Sequence, residues 1–223
     1  MSSLGRSKTQ SFTSICTITN PTINAFTHFL IDLYSPTIRP LEEVIAAFEN
    51  LTKPLSNNTE LNEFLSEYFG EAGSEIAPVP TDELTTDPTF LEHVNSSTVR
   101  DFISQVIGIW PDLTRQYVGA GNCTGCVSSF IPLNRTFVVA GGRFREPYYW
   151  DSAFILEGLL RTEGSFTDIA LNIIENFLDI IDDIGFMPNG ARVYYENRSQ
   201  PPVSISLPGA TLNILTKRLV APH

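Results

Sequence analysis

The chain has 223 residues, with 25 acidic against 14 basic side chains, a formal net charge of 14 − 25 = −11. Hydrophobic residues make up 42% and charged ones 17%, apolar enough to bury a core and so to exclude an intrinsically disordered chain. No apolar run is long enough to span a bilayer, and a pI near 4.6 excludes nucleic acid as the expected partner.

Charge is spread unevenly. Residues 1–31 carry Arg6 and Lys8 and no acid, and residues 203–223 carry Lys217 and Arg218 and no acid. The stretch 32–202 therefore holds all 25 acids against 10 bases, a net of −15. The expected organisation is an atypical segment 1–31, a body 32–202 and a divergent tail 203–223.

In chain order, Leu41, Val44, Ile45, Phe48 and Leu51 line one face after Pro40, and the three-and-four spacing predicts a helix. Leu61, Phe64, Leu65, Tyr68 and Phe69 repeat the pattern up to Gly70. The stretch 71–90, rich in Pro, Thr and acid, reads as an extended surface loop. Val99, Phe102, Ile103, Val106, Ile107 and Trp110 make the clearest stripe, and Pro111 is expected to stop it.

A short apolar helix is predicted over 152–162. Behind it, Ser165-Phe-Thr-Asp168 has the form of a capping box. Ile169, Ile173, Ile174, Phe177, Ile180, Ile181 and Ile184 then fill a buried face, and Gly185 sits where a C-cap glycine belongs. Asp179, Asp182 and Asp183 read as a solvated helix end and not as a metal site. Strand is expected only over 191–195 and parts of 127–140. The fold class is mainly α.

Of three cysteines, Cys16 stands apart, and Cys123-Thr-Gly-Cys126 forms a CxxC. Zinc needs four ligands, and His28, His93 and His223 have no partner spacing. A loop disulfide or two idle thiols remain. Asn50, Asn57, Asn95, Asn122, Asn134 and Asn197 each open an N-glycosylation sequon, which leans towards the secretory pathway. Residues 1–20 show no charged segment followed by an apolar one, so no signal peptide is visible. The expectation is a secretory or vacuolar protein whose true N-terminus lies outside this sequence.

Two patches concentrate the chemistry. The first is Ala140-Gly-Gly-Arg-Phe-Arg-Glu-Pro-Tyr-Tyr-Trp-Asp-Ser152, where two arginines, two acids and four aromatics follow twin glycines. Guanidinium and carboxylate groups bind paired hydroxyls, and rings cover apolar ligand faces, a mixture that suits a sugar. A buried ion-pair network locking the loop is the alternative. The second patch, 185–202, opens at a helix C-terminus and carries amides and Arg198.

These residues resemble the α,α-trehalases of glycoside hydrolase family 37. Gly141-Gly-Arg-Phe-x-Glu-x-Tyr-x-Trp-Asp151 matches that family's first signature. Phe186-x-Pro-Asn-Gly190 and Asn197-Arg-Ser-Gln-Pro-Pro202 match the segments after it, and Ser7-Lys-Thr9 faintly echoes an N-terminal motif. The chain departs at Ala140, where the signature usually has Pro, and at Ala153, where it has an aromatic. Both flank the site, so a change of shape is expected there.

The resemblance implies an (α/α)6 toroid barrel, of which about half would be present, and inverting hydrolysis of trehalose to two glucose molecules. In such hydrolysis one carboxylic acid protonates the glycosidic oxygen and a second carboxylate, about 6.5–9.5 Å away, activates water. By this resemblance Arg143 is a sugar-binding arginine, and Trp150 and Asp151 form a stacking and hydroxyl-clamping pair. Asn189 is a binding amide, Phe144 and Tyr148 wall the pocket, and Arg198, Ser199 and Gln200 reach the substrate from the next loop. No cofactor or metal is implied, and the partner is trehalose. In the family the acid and base lie downstream of the Arg-Ser-Gln segment, so no catalytic residue is expected in this chain, and Glu146 and Asp151 are not that pair. After Pro202 the composition changes and Pro208-Gly209 breaks the helix expected there. An incomplete, inactive form, a non-catalytic sugar-binding form or a non-functional product are the expectations.

Overall fold

A computed structural model describes residues 34–51, 58–121 and 123–201. Segment 1–31, tail 203–223, Cys16, His28, His223, Ser7-Lys-Thr9, Pro202 and the sequon asparagines Asn57 and Asn122 lie outside the described residues. The architecture is mainly α, as the periodicities predict. No helix among the described residues is long and apolar enough to cross a membrane. The chain divides into two compact units.

Of the described residues, the first unit comprises 34–51, 58–77, 118–121, 123–132 and 192–194. Helix α1 (Leu41–Glu49) begins after Pro40, whose extended backbone makes it the N-cap. It buries Leu41, Val44 and Phe48 against Phe64 and Phe69 of the α2 (Asn58–Tyr68) region, with the Phe48 and Phe64 rings 5.8 Å apart. The loop disulfide is formed, Cys123 to Cys126. Its loop is tied to the start of α1, because the Leu41 N–H donates to the Gly125 carbonyl at 3.0 Å.

Stretch 71–90 is not simply an extended surface loop. It contains a strand, Ile76–Pro78, and a single-turn helix, Thr81–Glu83. Glu75 within it is fully buried and pairs with Arg192 at 2.6 Å. Arg192 lies between the rings of Tyr34 and Phe130, at 4.9 and 5.0 Å, and donates to Ser129 Oγ at 3.0 Å. Residues 191–195, expected as strand, make one β-bridge at Arg192 and then a single helical turn, Val193–Tyr195.

The second unit comprises residues 78–117, 133–191 and 195–201. Helix α3 (Ser97–Ile107) is capped by Ser96, whose Oγ accepts the Val99 N–H. Pro111 does not stop this helix. Gly108 does, and Pro111 instead opens the four-residue helix α4 (Trp110–Leu113), where a missing N–H costs nothing. The strand Thr114–Tyr117, which periodicity missed, pairs antiparallel with Phe137–Val138, Thr114 opposite Val138.

Helix α5 (Tyr149–Thr162) starts three residues before the predicted bound and so takes Trp150 and Asp151 into its first turn. Helix α6 (Ser165–Ile184) packs on α5 and buries Phe166, Ile169, Ala170, Ile173, Phe177 and Ile180. Of the other predicted core positions, Ile174 and Ile184 are half-buried and Ile181 is exposed. Gly185 ends α6 in the left-handed conformation, φ 96°, as its position predicts.

The expected capping box is not formed, and Gly164 is the N-cap. Ser165 Oγ is taken by Thr85, accepting its N–H at 2.8 Å and donating to its carbonyl at 3.2 Å. Asp179 pairs with Arg135 at 2.6 Å, while Asp182 and Asp183 are exposed. The Asn176 side chain, itself buried, bonds both the N–H and the carbonyl of Arg135. This fixes α6 to the loop that leads into the strand Phe137–Val138.

Candidate functional site

All nine candidate site residues lie in the second unit. Gly141 and Gly142 have φ of 98° and 61°, a conformation glycine adopts without strain, and the chain turns there so that the Phe144 N–H reaches the Gly141 carbonyl at 3.1 Å. Glu146, Pro147 and Tyr148 then run inward and are buried, and α5 begins. The second segment leaves α6 at Gly185 and returns alongside. Ala191 N–H donates to the Pro147 carbonyl at 3.1 Å and Tyr149 N–H to that of Asn189 at 3.2 Å. The Asn189 N–H in turn donates to the Arg198 carbonyl at 2.9 Å. Backbone pairing thus brings the two patches of the sequence together.

Side chains complete the joint. Gln200 Oε1 accepts the Trp150 N–H at 2.6 Å, and Ser199 Oγ donates to the Met187 carbonyl at 2.6 Å. The Gln200 bond holds the two segments against each other, and the Ser199 bond closes the second segment on itself. Gly190 packs where an added Cβ would lie 3.1 Å from the Tyr148 ring and 3.2 Å from that of Tyr195, so only glycine fits without displacing a ring.

An aromatic series runs through the site. Phe144 meets Tyr148 edge-on at 5.7 Å, and Tyr148 meets Tyr195 at 5.9 Å. The Arg143 guanidinium lies over Phe144 and that of Arg198 over Tyr195, each 5.0 Å from the ring centre. Phe144 and Trp150 are 40% and 41% exposed, which leaves ring faces open to a ligand. Asp151 and Asn189 are half-buried, and among the described residues neither side chain has a hydrogen-bond or ion-pair partner.

Two further residues belong to this arrangement, Glu146 and Tyr195. The sequence displays both, but nothing in it says that Glu146 is buried or that Tyr195 faces Tyr148. In the first loop Arg143 stands exposed on the Phe144 ring, Arg145 is half-buried, and Glu146 is bonded to a tyrosine hydroxyl. Two cations, an unpaired carboxylate, an unpaired amide and open ring faces are the groups that recognise a polyhydroxylated ring. Among the described residues, no group of His, Cys, Asp and Glu could hold a metal ion.

The fold is mainly helical, and the comparisons with known proteins make the class specific. The Trehalase family profile matches residues 34–208. A trehalase of Dictyostelium discoideum is 47% identical over 147 residues, 66% of this chain and 24% of that protein. A trehalase of Tenebrio molitor is 37% identical over 159 residues, covering 70% of this chain and 28% of its own. The trehalase of Homo sapiens is 33% identical over 165 residues, 73% of this chain and 28% of its own. The chain belongs to the trehalase family. It spans about a quarter to three tenths of the length of the curated relatives it matches.

Proposed function

We propose that residues 141–151 and 187–200 form the trehalose-binding part of a site for inverting trehalose hydrolysis, set in half of an (α/α)6 barrel. The observation that carries this reading is the pairing of the two signature segments, which puts Arg143, Trp150, Asp151, Asn189 and Arg198 on one loop pair in a chain of the trehalase family. The arginines and Asp151 would engage hydroxyls, Trp150 and Phe144 would cover the apolar faces of the glucose rings, and Asn189 would supply a neutral donor and acceptor.

The same reading holds that the 223-residue chain by itself binds trehalose without cleaving it. Inversion needs two carboxylates, one on each face of the bond. Of the two in the signature loop, Glu146 is fully buried and accepts the Tyr148 hydroxyl, so that loop offers ligand a single carboxylate, Asp151. Passage through the secretory pathway belongs to this proposal too, supported by exposed sequon asparagines at Asn50, Asn95 and Asn134.

Calorimetric titration of the purified chain with trehalose, alongside a glucose assay, tests both parts. The expected result is saturable binding, a rise in melting temperature with trehalose, and no glucose. Glucose release abolished by Asp151→Ala would overturn the second part. A folded chain indifferent to trehalose would overturn the first.

A further inference from the structure

Glu146 is bonded to Tyr148, the shared ring of the aromatic series, and is fully buried. A buried carboxylate is tolerated only where it is bonded, and the Tyr148 hydroxyl donates to its Oε1 at 2.6 Å. A phenol has one hydrogen. With that hydrogen committed to Glu146, the Tyr148 oxygen serves as acceptor for the Tyr195 hydroxyl, 3.3 Å away. The relay therefore has one direction, from Tyr195 to Tyr148 to Glu146.

We propose that Glu146 is the positioning residue for both site arginines, acting on them through Tyr148 and the rings of Phe144 and Tyr195. This rests on the trehalose-binding reading above and names what organises that site before ligand arrives. The two hydroxyl bonds fix the rotation and tilt of the Tyr148 ring. That ring packs against Phe144, at 5.7 Å and 85°, and against Tyr195, at 5.9 Å and 63°. Each outer ring then carries a guanidinium at 5.0 Å, Arg143 on Phe144 and Arg198 on Tyr195.

Tyr148 and Tyr195 both pack close to the Gly190 backbone, where an added Cβ would lie 3.1 and 3.2 Å from their rings. The arginines are exposed and long, with much rotamer freedom to lose on meeting a ligand. Holding them on rings in advance lowers that cost. Glu146 itself does not touch ligand, because its carboxylate has no exposed surface.

The test uses the full 223-residue chain, labelled with nitrogen-15, and reads the Nε–H signals of Arg143 and Arg198 without ligand and the trehalose affinity with it. In the native chain both signals are displaced by the rings beneath them. Tyr148→Phe keeps the ring and removes both hydroxyl bonds. It is expected to move the two signals towards their positions in a free arginine and to weaken trehalose roughly three- to tenfold, the worth of one such bond. Glu146→Leu, which removes the acceptor, is expected to move both signals as Tyr148→Phe does, whereas Glu146→Gln, whose amide oxygen still accepts from Tyr148, keeps native signals and affinity. Native signals in Glu146→Leu overturn the proposal. Native signals and native affinity in Tyr148→Phe overturn the proposal. A native chain that ignores trehalose, while Tyr148→Phe still moves the arginine signals, supports the relay and overturns the trehalose reading.

Discussion

Gln200 accepts the backbone N–H of Trp150 at 2.6 Å, and in doing so caps a helix fifty positions earlier in the chain. The N-cap residue of α5, Tyr148, makes no side-chain cap bond, so one of the free N–H groups of the first turn is satisfied from the other loop. The same bond closes the site and starts the helix that carries Trp150 and Asp151.

Gln200→Ala is therefore expected to destabilise the chain by about 1 kcal/mol, the usual worth of a cap, and Gln200→Glu to retain most of that. Urea unfolding followed by circular dichroism checks both. An unchanged midpoint in Gln200→Ala would show that water replaces the cap at no cost.

Glu75 and Arg192 form an ion pair with neither side chain exposed. Glu75→Ala is expected to cost about 3–5 kcal/mol, because it leaves a buried guanidinium without its counter-charge. The double variant Glu75→Leu with Arg192→Met should recover much of the loss. The four unfolding curves of that cycle measure the coupling directly.

Arg135 donates to Asp179 and pairs with Glu175, both at 2.6 Å. The hydrogen bond to Asp179 holds its pKa above the usual arginine range. A raised cation stabilises the fold below its unfolded pKa and loses that contribution only as pH climbs through the folded value, so the arginine itself adds no pH dependence between about pH 6 and pH 9. Since the groups are one-third or more exposed, Arg135→Ala should cost at most about 1 kcal/mol, equally at both pH values. A loss that differed between the two would point to another titrating group.

Gly164 has φ 61°, and a Cβ there would meet the Thr85 carbonyl oxygen at 2.4 Å. Gly164→Ala is expected to cost more than about 1 kcal/mol from backbone strain alone and to loosen the Thr85–Ser165 contacts. Hydrogen exchange at the Ser165 N–H, which donates to the Thr85 carbonyl, reads that loosening.

Phe102, Phe154 and Leu178 are 66%, 66% and 54% exposed. Apolar side chains so open to water favour association. The chain is expected to self-associate as its concentration rises, and Phe102→Ser with Phe154→Ser to shift sedimentation towards monomer. Sedimentation unaffected by the pair of changes would place the sticky surface elsewhere.

Much of the fold is legible in the residues themselves. Helices α1, α2 and α6 follow from apolar spacing, and the end of α6 from Gly185, because those signals are local to a turn or two of chain. The family is legible too, since Gly141–Asp151 and Phe186–Gln200 keep fixed residues at fixed spacing. The stripe on α3 is equally clear in sequence, but spacing reports only that a helix has an apolar face. The structure leaves Val99, Phe102 and Val106 exposed on it.

What tertiary structure alone decided lies where a partner is distant in sequence. Ser165 has the residues of a capping box, but Thr85, eighty positions away, takes its hydroxyl. Glu75 reads as a loop acid until Arg192, 117 positions on, buries it. Glu146 reads as one more acid in a sugar-like patch, and only the packing of Tyr148 and Tyr195 around it makes it an interior acceptor. Local pattern sets which backbone forms. Whether a polar side chain faces water or a partner depends on desolvation, and that is fixed only when remote segments close over it.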